Sequence, residues 1–116
     1  MLTCERVEKG GVTVLRISGE VDDIGGQALR EAITACMREQ HYRLVLNFAS
    51  VNFLSFVGVG ALMDHLGRLR SFKGDIKLSC VNLQTRRLLG MMGLGQVFEI
   101  YEVESAAVQG YKQVAA

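Results

Sequence analysis

The residues of this chain best suited to chemistry lie at positions 51–62, after an apolar run at residues 44–48 and before a helical pattern. This order predicts a strand, a loop and the first turn of a helix. Such a turn presents free backbone N–H groups and a partial positive charge, which suit an anion or a phosphorylated hydroxyl. Phe56 and Val57 occupy the turn, however, where a polar residue would be expected. The backbone therefore predicts an anion site, whereas the side chains do not.

Two glycines in this segment match part of a dinucleotide-binding fingerprint. Gly58 and Gly60 follow a predicted strand and open a predicted helix, but Met63 stands at the third glycine position. The strand is not the first of its sheet, and no Walker A sequence occurs. We interpret the glycines as residues that let the helix start close to its strand.

The remaining titratable residues form no catalytic motif. His41 lies in a predicted helix-end turn and His65 in mid-helix, and neither belongs to a nucleophile or metal motif. Glu20, Asp22 and Asp23 cluster in one segment and could hold a metal, but they lack the spacing of a calcium loop. We interpret them as a solvated acidic loop at a protein–protein surface. The sequence thus predicts a protein that is not an enzyme and that has no metal and no cofactor.

The bulk properties are typical of a globular protein in a reducing compartment. The 116 residues carry a net charge of +1 and suit a single domain, residues 1–116, with no nucleic-acid surface. Cys4, Cys36 and Cys80 have apolar or strand-like neighbours, which predicts small, buried, free thiols. The N-terminus lacks signal-peptide features, and the apolar runs are too short for a membrane span. We therefore expect a cytoplasmic protein without membrane insertion.

Strands and helices alternate along the chain. A turn at residues 9–11 predicts an N-terminal hairpin, followed by a polar loop at residues 19–26. Further strands are predicted at residues 44–48, 76–80 and 97–101, the second of them half-exposed. Four helices are predicted from apolar residues at helical spacing: Leu29, Ala32, Ile33, Cys36 and Met37; Val59, Leu62, Leu66 and Leu69; Leu88, Leu89 and Met92; Ala107, Tyr111 and Val114.

The order β-β-α-β-α-β-α-β-α predicts an α/β fold, with a mixed, mostly parallel sheet flanked by four helices. Asn82 is expected to cap the third helix and Gly93 to end it. In such sheets, functional residues gather beyond the carboxyl ends of the strands, where residues 51–62 lie.

Five pieces of the chain occur in a fixed order. They are Gly19-Glu20-Val21-Asp22, residues 44–53, Gly58-Val59-Gly60, Asn82-Leu83 with residues 86–89, and Gly93-Leu94 with Val97-Phe98. In their order and spacing they resemble an STAS domain and, more narrowly, the bacterial anti-sigma factor antagonists. The resemblance covers nearly the whole chain and implies the STAS fold.

The resemblance also implies a partner and a regulatory switch. In this family the antagonist binds an anti-sigma factor that is also an ATP-dependent serine kinase. The kinase phosphorylates a serine at the start of the second helix. A phosphoserine adds roughly −1.5 to −2 charges at the contact surface and breaks the complex. A phosphatase restores the antagonist, which then releases the sigma factor by partner exchange.

This chain departs from the family motif at its centre. Ser55 matches the aspartate of the motif, Phe56 its phosphorylated serine, Val57 its second serine and Gly58 its glycine. Phenylalanine cannot accept a phosphoryl group, so no phosphorylation is expected at that position. Asp22 matches the acidic residue of the family before the first helix. The resemblance therefore implies partner binding by Asp22, Asp23, Ser55, Phe56, Val57 and Gly58.

Three interpretations stay open. The first, which we adopt, is an antagonist that binds an anti-sigma factor of the ATP-binding serine-kinase type without phosphorylation control, with Phe56 and Val57 as an apolar contact. The second is an STAS accessory subunit of a lipid transporter, or a small-ligand sensor. The third is phosphorylation of Ser55, whose other role is an N-cap. Phe56 either contacts a partner or folds back onto the core, and an exposed apolar turn would also serve a homodimer.

Overall fold

Strands and helices alternate in the computed structural model, which describes residues 1–114 and the side chains of residues 1–112. The strands are β1 (Leu2–Lys9), β2 (Val12–Val21), β3 (Arg43–Leu54), β4 (Asp75–Ser79) and β5 (Glu99–Tyr101). The helices are α1 (Asp23–Arg38), α2 (Phe56–Met63), α3 (Leu66–Ser71), α4 (Leu83–Met91) and α5 (Glu104–Val114).

The strands form one sheet in the order β1-β2-β3-β4-β5. β1 and β2 are antiparallel and joined at Gly10 and Gly11, whose φ angles of 57° and 83° suit a two-residue hairpin turn. The other three strand pairs are parallel. The crossovers between parallel strands each lead to the next strand of the sheet, and α1 to α4 pack into one core on one face of it. The predicted α/β fold with a mixed, mostly parallel sheet is confirmed.

The main core lies between the sheet and the helices α1 to α4. Each of these helices contributes fully buried residues: Leu29, Ile33 and Cys36 from α1, Val59 and Leu62 from α2, Leu66 and Leu69 from α3, and Leu89 from α4. A second cluster lies beneath α5 on the opposite face: Val12, Val14, Val45, Ala107, Val108 and Tyr111. The predicted apolar stripes therefore face the sheet, and only the side chain of Val114 lies outside the described residues.

The prediction of a polar loop at residues 19–26 is wrong. β2 continues to Val21 and α1 begins at Asp23, with only Asp22 between them. β2 is paired with β1 as far as Gly19 and with β3 as far as Val21. The backbone hydrogen bonds of two neighbouring strands hold the segment extended in spite of its polar composition.

The connection between β3 and β4 also differs from the prediction. β3 extends to Leu54 because its last residues pair with the end of β2, so the predicted loop shrinks to Ser55. The predicted second helix is interrupted after Met63, and His65 leaves the helical conformation with a ψ angle of 0°. α2 and α3 together replace this one helix, and the other three predicted helices are present.

The strand predicted as half-exposed at residues 76–80 is buried on both faces. Lys77 and Ser79, on its predicted solvent side, are only 2% and 0% exposed. The Lys77 ammonium lies 3.0 Å from Glu99 Oε1 and 4.6 Å from the centre of the Tyr111 ring. α5 thus covers the face that the alternating sequence assigned to water, as is usual for parallel strands.

The three cysteines are free thiols. Cys36 is buried, whereas Cys4 and Cys80 are half-buried. Burial raises the pKa of Cys4, and it raises that of Cys36 to about 11. These two thiols therefore stay protonated near neutral pH, the less reactive form. Among residues 1–114, no helix combines the length and the apolar character that crossing a membrane requires.

Glu104 fixes the start of α5 to the sheet. Its carboxylate accepts hydrogen bonds from Arg16 at 2.9 and 3.0 Å, from Lys9 at 2.8 Å and from Asn47 at 3.0 Å. The side chain is 13% exposed. The hydrogen bonds from Arg16, helped by those from Lys9 and Asn47, hold the pKa of Glu104 far below its ordinary range.

We expect Glu104→Gln to lower the free energy of unfolding by about 1–3 kcal/mol, because the amide removes the negative charge and one of the two acceptor oxygens. The pKa of Glu104 is depressed in the folded state, so its contribution is present above the unfolded pKa of about 4.3 and is lost as the pH falls below it. Urea unfolding of both proteins from pH 7 to pH 3 should show the difference shrinking on acidification.

Glu102→Gln is the matched control. Glu102 is 91% exposed, and its single contact with Arg86 measures 3.3 Å. Its replacement should change stability by less than about 0.5 kcal/mol. A Glu104→Gln effect as small as that of the control, or one that does not change with pH, would contradict the role assigned to Glu104.

Candidate protein-interaction site

Asp22 and Ser55 lie at the carboxyl ends of neighbouring strands, where each begins a helix. The residues before them, Val21 and Leu54, are paired in the sheet. Asp22 Oδ1 accepts a hydrogen bond of 2.8 Å from the backbone N–H of Gly25. At Ser55 the hydroxyl oxygen accepts the corresponding bond at 2.9 Å from the N–H of Gly58. Both residues are therefore N-caps, and α1 and α2 start in the same way.

Glycine at the third position of each helix lets it start against the strand ends. A Cβ atom on Gly25 would lie 1.9 Å from the carbonyl oxygen of Glu20, and one on Gly58 would lie 2.1 Å from that of Val21. The interpretation of Gly58 as a close-approach residue is thus confirmed. Gly60 does not share this role, since the nearest atom to its Cβ position would be Arg30 Nη2 at 3.8 Å.

The two helix starts are also in contact with each other. A Cβ atom on Gly26 of α1 would lie 3.7 Å from the Cα atom of Gly58 and 3.6 Å from the Cβ atom of Ala61 on α2. Helices that approach this closely bring their first exposed residues onto a common surface. We call this the helix-start surface: Asp22, Asp23, Ile24, Ser55, Phe56 and Val57.

The centre of the helix-start surface is apolar. Ile24 is 82% exposed, Phe56 63% and Val57 47%. The interpretation in which Phe56 folds back onto the core is therefore wrong. The buried contact across the start of α2 is formed instead by residues on either side of the exposed pair, because Leu54 and Val59 both lie in the main core.

Sequence reasoning placed five members of this surface but missed Ile24. The sequence did contain a sign of its exposure, because Ile24 is a large apolar residue in a polar segment. With residues 19–26 predicted as a loop, this residue could not be assigned to the start of a helix. Gly58, predicted to bind a partner, is buried and shapes the backbone beneath the surface. Ser55 is half-buried, and its hydroxyl also lies 3.3 Å from the carbonyl oxygen of Val21, to which it donates.

A groove of about 320 Å³ borders this surface on the side of α4. Phe53 at the end of β3 and Met91 on α4 line it and are 53% and 75% exposed. Asn82, which also lines the groove, caps α4 by accepting a bond of 2.8 Å from the N–H of Thr85, as predicted. The exposed apolar area therefore extends beyond the predicted residues toward α4.

The two histidines lie apart from the helix-start surface. The His41 Nδ1 atom is 2.9 Å from Thr13 Oγ1 and 3.2 Å from Glu8 Oε2. His65 Nε2 is 3.0 Å from Thr34 Oγ1. In the part of the chain that the structure describes, no three histidine, cysteine or acidic side chains are grouped closely enough to hold a metal ion.

A five-stranded sheet whose strand ends carry two capped helix starts and an exposed apolar centre defines a domain that presents a surface to another protein. The STAS domain family model matches residues 3–107. The chain belongs to this family, as the sequence resemblance predicted.

Several of the proteins similar to this chain are antagonists of anti-sigma factors. The anti-sigma-F factor antagonist RsfB of Mycobacterium tuberculosis is 32% identical in an alignment of 114 residues that covers 96% of this chain and 90% of RsfB. An anti-sigma factor antagonist from Mycobacterium paratuberculosis is 26% identical, with a TM-score of 0.80 over 97% of this chain and 95% of that protein.

The fold is also that of the anti-sigma factor antagonist SpoIIAA. Its unphosphorylated form is 21% identical to this chain, with a TM-score of 0.80 and coverage of 97% of both chains. The phosphorylated form of the Bacillus protein has a TM-score of 0.71 over 94% of this chain and 97% of that chain.

Proposed function

We propose that this protein is an anti-sigma factor antagonist that acts by binding an anti-sigma factor through the helix-start surface, and that it has no catalytic activity of its own. The observation that carries the proposal is the exposed Phe56 at the first position of α2. Burial of a large aromatic side chain is among the strongest contributions to protein–protein affinity. Family membership supports the nature of the partner.

Charge at the edge of this surface contributes to recognition. Asp22 and Asp23 stand beside the apolar centre, at the start of α1. Complementary basic side chains on the partner would orient the complex and raise its rate of association. Rim charges of this kind affect specificity more than affinity, so the apolar centre supplies most of the binding free energy.

The partner we propose is an anti-sigma factor of the ATP-binding serine-kinase type, in the cytoplasm. Phe56 offers no hydroxyl to such a kinase. Ser55, the neighbouring residue, uses its hydroxyl to cap α2, and transfer of a phosphoryl group would remove its proton and crowd this cap. Binding is therefore controlled by the amount of each protein rather than by phosphorylation at the start of α2.

Copurification with the serine-kinase anti-sigma factors of the same cell tests this proposal. We expect a complex in the presence of either ADP or ATP, and an intact mass that stays unchanged after incubation with ATP. The Phe56→Ser variant restores a hydroxyl at the switch position and should gain one phosphoryl group under the same conditions.

Failure to bind in both nucleotide states would contradict the proposal. A phosphoryl group on Ser55 of the unaltered chain would contradict the absence of a switch, although not the antagonist function. Copurification of transporter subunits in place of an anti-sigma factor would favour an accessory role in transport. A homodimer that hides Phe56 in the absence of partner would be visible by sedimentation.

A further inference from the structure

A second site candidate lies at the opposite end of α1 from the helix-start surface. A cleft of about 260 Å³ opens between the last turns of α1 and the short helix α3. Thr34 and Arg38 lie one turn apart on α1, and His65 and Arg68 lie one turn apart at the start of α3. The four side chains face the same cleft, which the anti-sigma factor proposal does not use.

The cleft is positively charged and holds no acidic side chain among the residues that line it. Most arginines of this chain have a carboxylate partner: Arg6, Arg16, Arg30, Arg70 and Arg86. In the described part of the chain, Arg38 and Arg68 form no such ion pair. Both arginines line the same cleft, so an anion bound there would be attracted by two positive charges.

Stacked aromatic rings hold the two sides of the cleft together. Tyr42, just after α1, and Phe72, just after α3, stack with ring centres 4.5 Å apart and planes inclined by 8°. Both rings line the cleft. Because the stack joins the elements that carry Arg38 and Arg68, less conformational entropy remains to be lost when both arginines bind one ligand.

We propose that this cleft binds the phosphate group of a small phosphorylated compound. The planar guanidinium fork matches phosphate oxygens in pairs, and two such groups satisfy more oxygens than a carboxylate offers. The Thr34 hydroxyl also lines the cleft and is hydrogen-bonded to His65 Nε2 at 3.0 Å; when the Nε2–H donates that bond, the hydroxyl proton is left to donate to a phosphate oxygen. The volume equals roughly nine water molecules in the liquid, which suits a phosphate with a few attached atoms.

The surroundings agree with this assignment. An adjoining cleft of about 320 Å³ shares Thr34, Arg38 and His65. One carboxylate, that of Glu31, lines this second cleft, and the Arg30 guanidinium there is already bound to Asp64. The uncompensated positive charge is therefore concentrated on the side of Arg68.

Inorganic phosphate and O-phosphoserine, titrated at constant ionic strength with chloride as the balancing anion, test the proposal by amide NMR. We expect saturable shifts at Thr34, Arg38, His65 and Arg68, and none at the helix-start surface. Arg38→Gln and Arg68→Gln should each weaken phosphate binding about tenfold. Arg87→Gln, which removes an exposed arginine on α4 outside the cleft, is the control and should leave the affinity unchanged.

Shifts that do not saturate, or an equal loss of affinity in Arg87→Gln, would reveal general attraction of anions to the surface and would overturn the proposal. Tighter binding of a phosphoserine-containing peptide than of O-phosphoserine would identify a modified protein as the ligand and would overturn its small-molecule form. Neither result bears on anti-sigma factor binding, because the helix-start surface is about 15 to 21 Å away along α1.

Discussion

Phe56→Ala is expected to weaken binding of the anti-sigma factor by about 30-fold or more, while leaving the fold intact. Truncation of a central aromatic residue in an interface commonly costs about 2 kcal/mol or more, which is about 30-fold in affinity. The side chain is 63% exposed in the free protein, so its removal should change the free energy of unfolding by less than about 0.5 kcal/mol. Calorimetric titration and urea unfolding measure the two quantities separately.

Phe72→Ala provides a matched control for this prediction. Phe72 is a second exposed phenylalanine, with 53% of its surface accessible. It lies just after the end of α3 and outside the helix-start surface. Its replacement removes the stack on Tyr42 and should lower stability slightly without changing partner affinity. Equal affinity losses in both variants would show that Phe56 has no special place in the interface.

Phe56→Glu should weaken binding further than Phe56→Ala. A carboxylate at this position brings a charge into the proposed apolar contact, and a charge buried without a partner is costly. Binding by Phe56→Glu as tight as that of the unaltered chain would contradict an apolar contact at the start of α2.

Gly58→Ala is expected to have the largest effect on stability, a loss of about 3 kcal/mol or more. Its added methyl group would lie 2.1 Å from the carbonyl oxygen of Val21, a backbone atom that belongs to the paired end of β2. Either α2 must move away from the sheet or β2 must lose its last pairing. Urea unfolding and amide hydrogen exchange at the end of β2 would measure the consequence.

Gly67→Ala is the corresponding control. Gly67 lies in α3 with no atom within 4 Å of its Cβ position, so alanine should stabilise the protein by up to about 1 kcal/mol. If Gly58→Ala unfolded within about 1 kcal/mol of the unaltered chain, the close approach of α2 to the sheet would not be required.

The predictions for Phe56 and Gly58 concern different properties of the start of α2. Gly58 determines where α2 starts, and Phe56 projects from that start toward a partner. If the proposed function holds, a phosphorylated serine in place of Phe56 would switch binding off, whereas Phe56 would keep an apolar contact. On the proposed function, the amount of antagonist therefore sets the extent of binding.

Local signals in the sequence were reliable wherever a residue acts on its own neighbours. Ser55 and Asn82 were predicted as N-caps because a short polar side chain can reach an N–H group three residues ahead. The turn at Gly10 and Gly11 and the end of α4 at Gly93 follow from positive φ angles that glycine adopts readily. The apolar stripe of α1 followed from helical spacing, and Leu29 and Ile33 are fully buried.

The errors occurred where distant segments decide the structure. Residues 19–21 look like a loop by composition, yet pairing with β1 and β3 holds them in a strand. Lys77 looks exposed by alternation, yet α5 returns across the sheet and buries it beside Glu99. No local pattern carries this information. The segments that decide it, β3 for residues 19–21 and α5 for Lys77, lie 20 or more residues away in the chain.

The sequence by itself determined the fold class and the family resemblance, since these depend on residue identity and order. Only the tertiary structure decided that Phe56 is exposed and that Ile24 lies with it on one surface. It also decided that Arg38 and Arg68 line the same cleft. The physical reason is packing: glycines let α1 and α2 touch at their starts, and an aromatic stack joins the ends of α1 and α3.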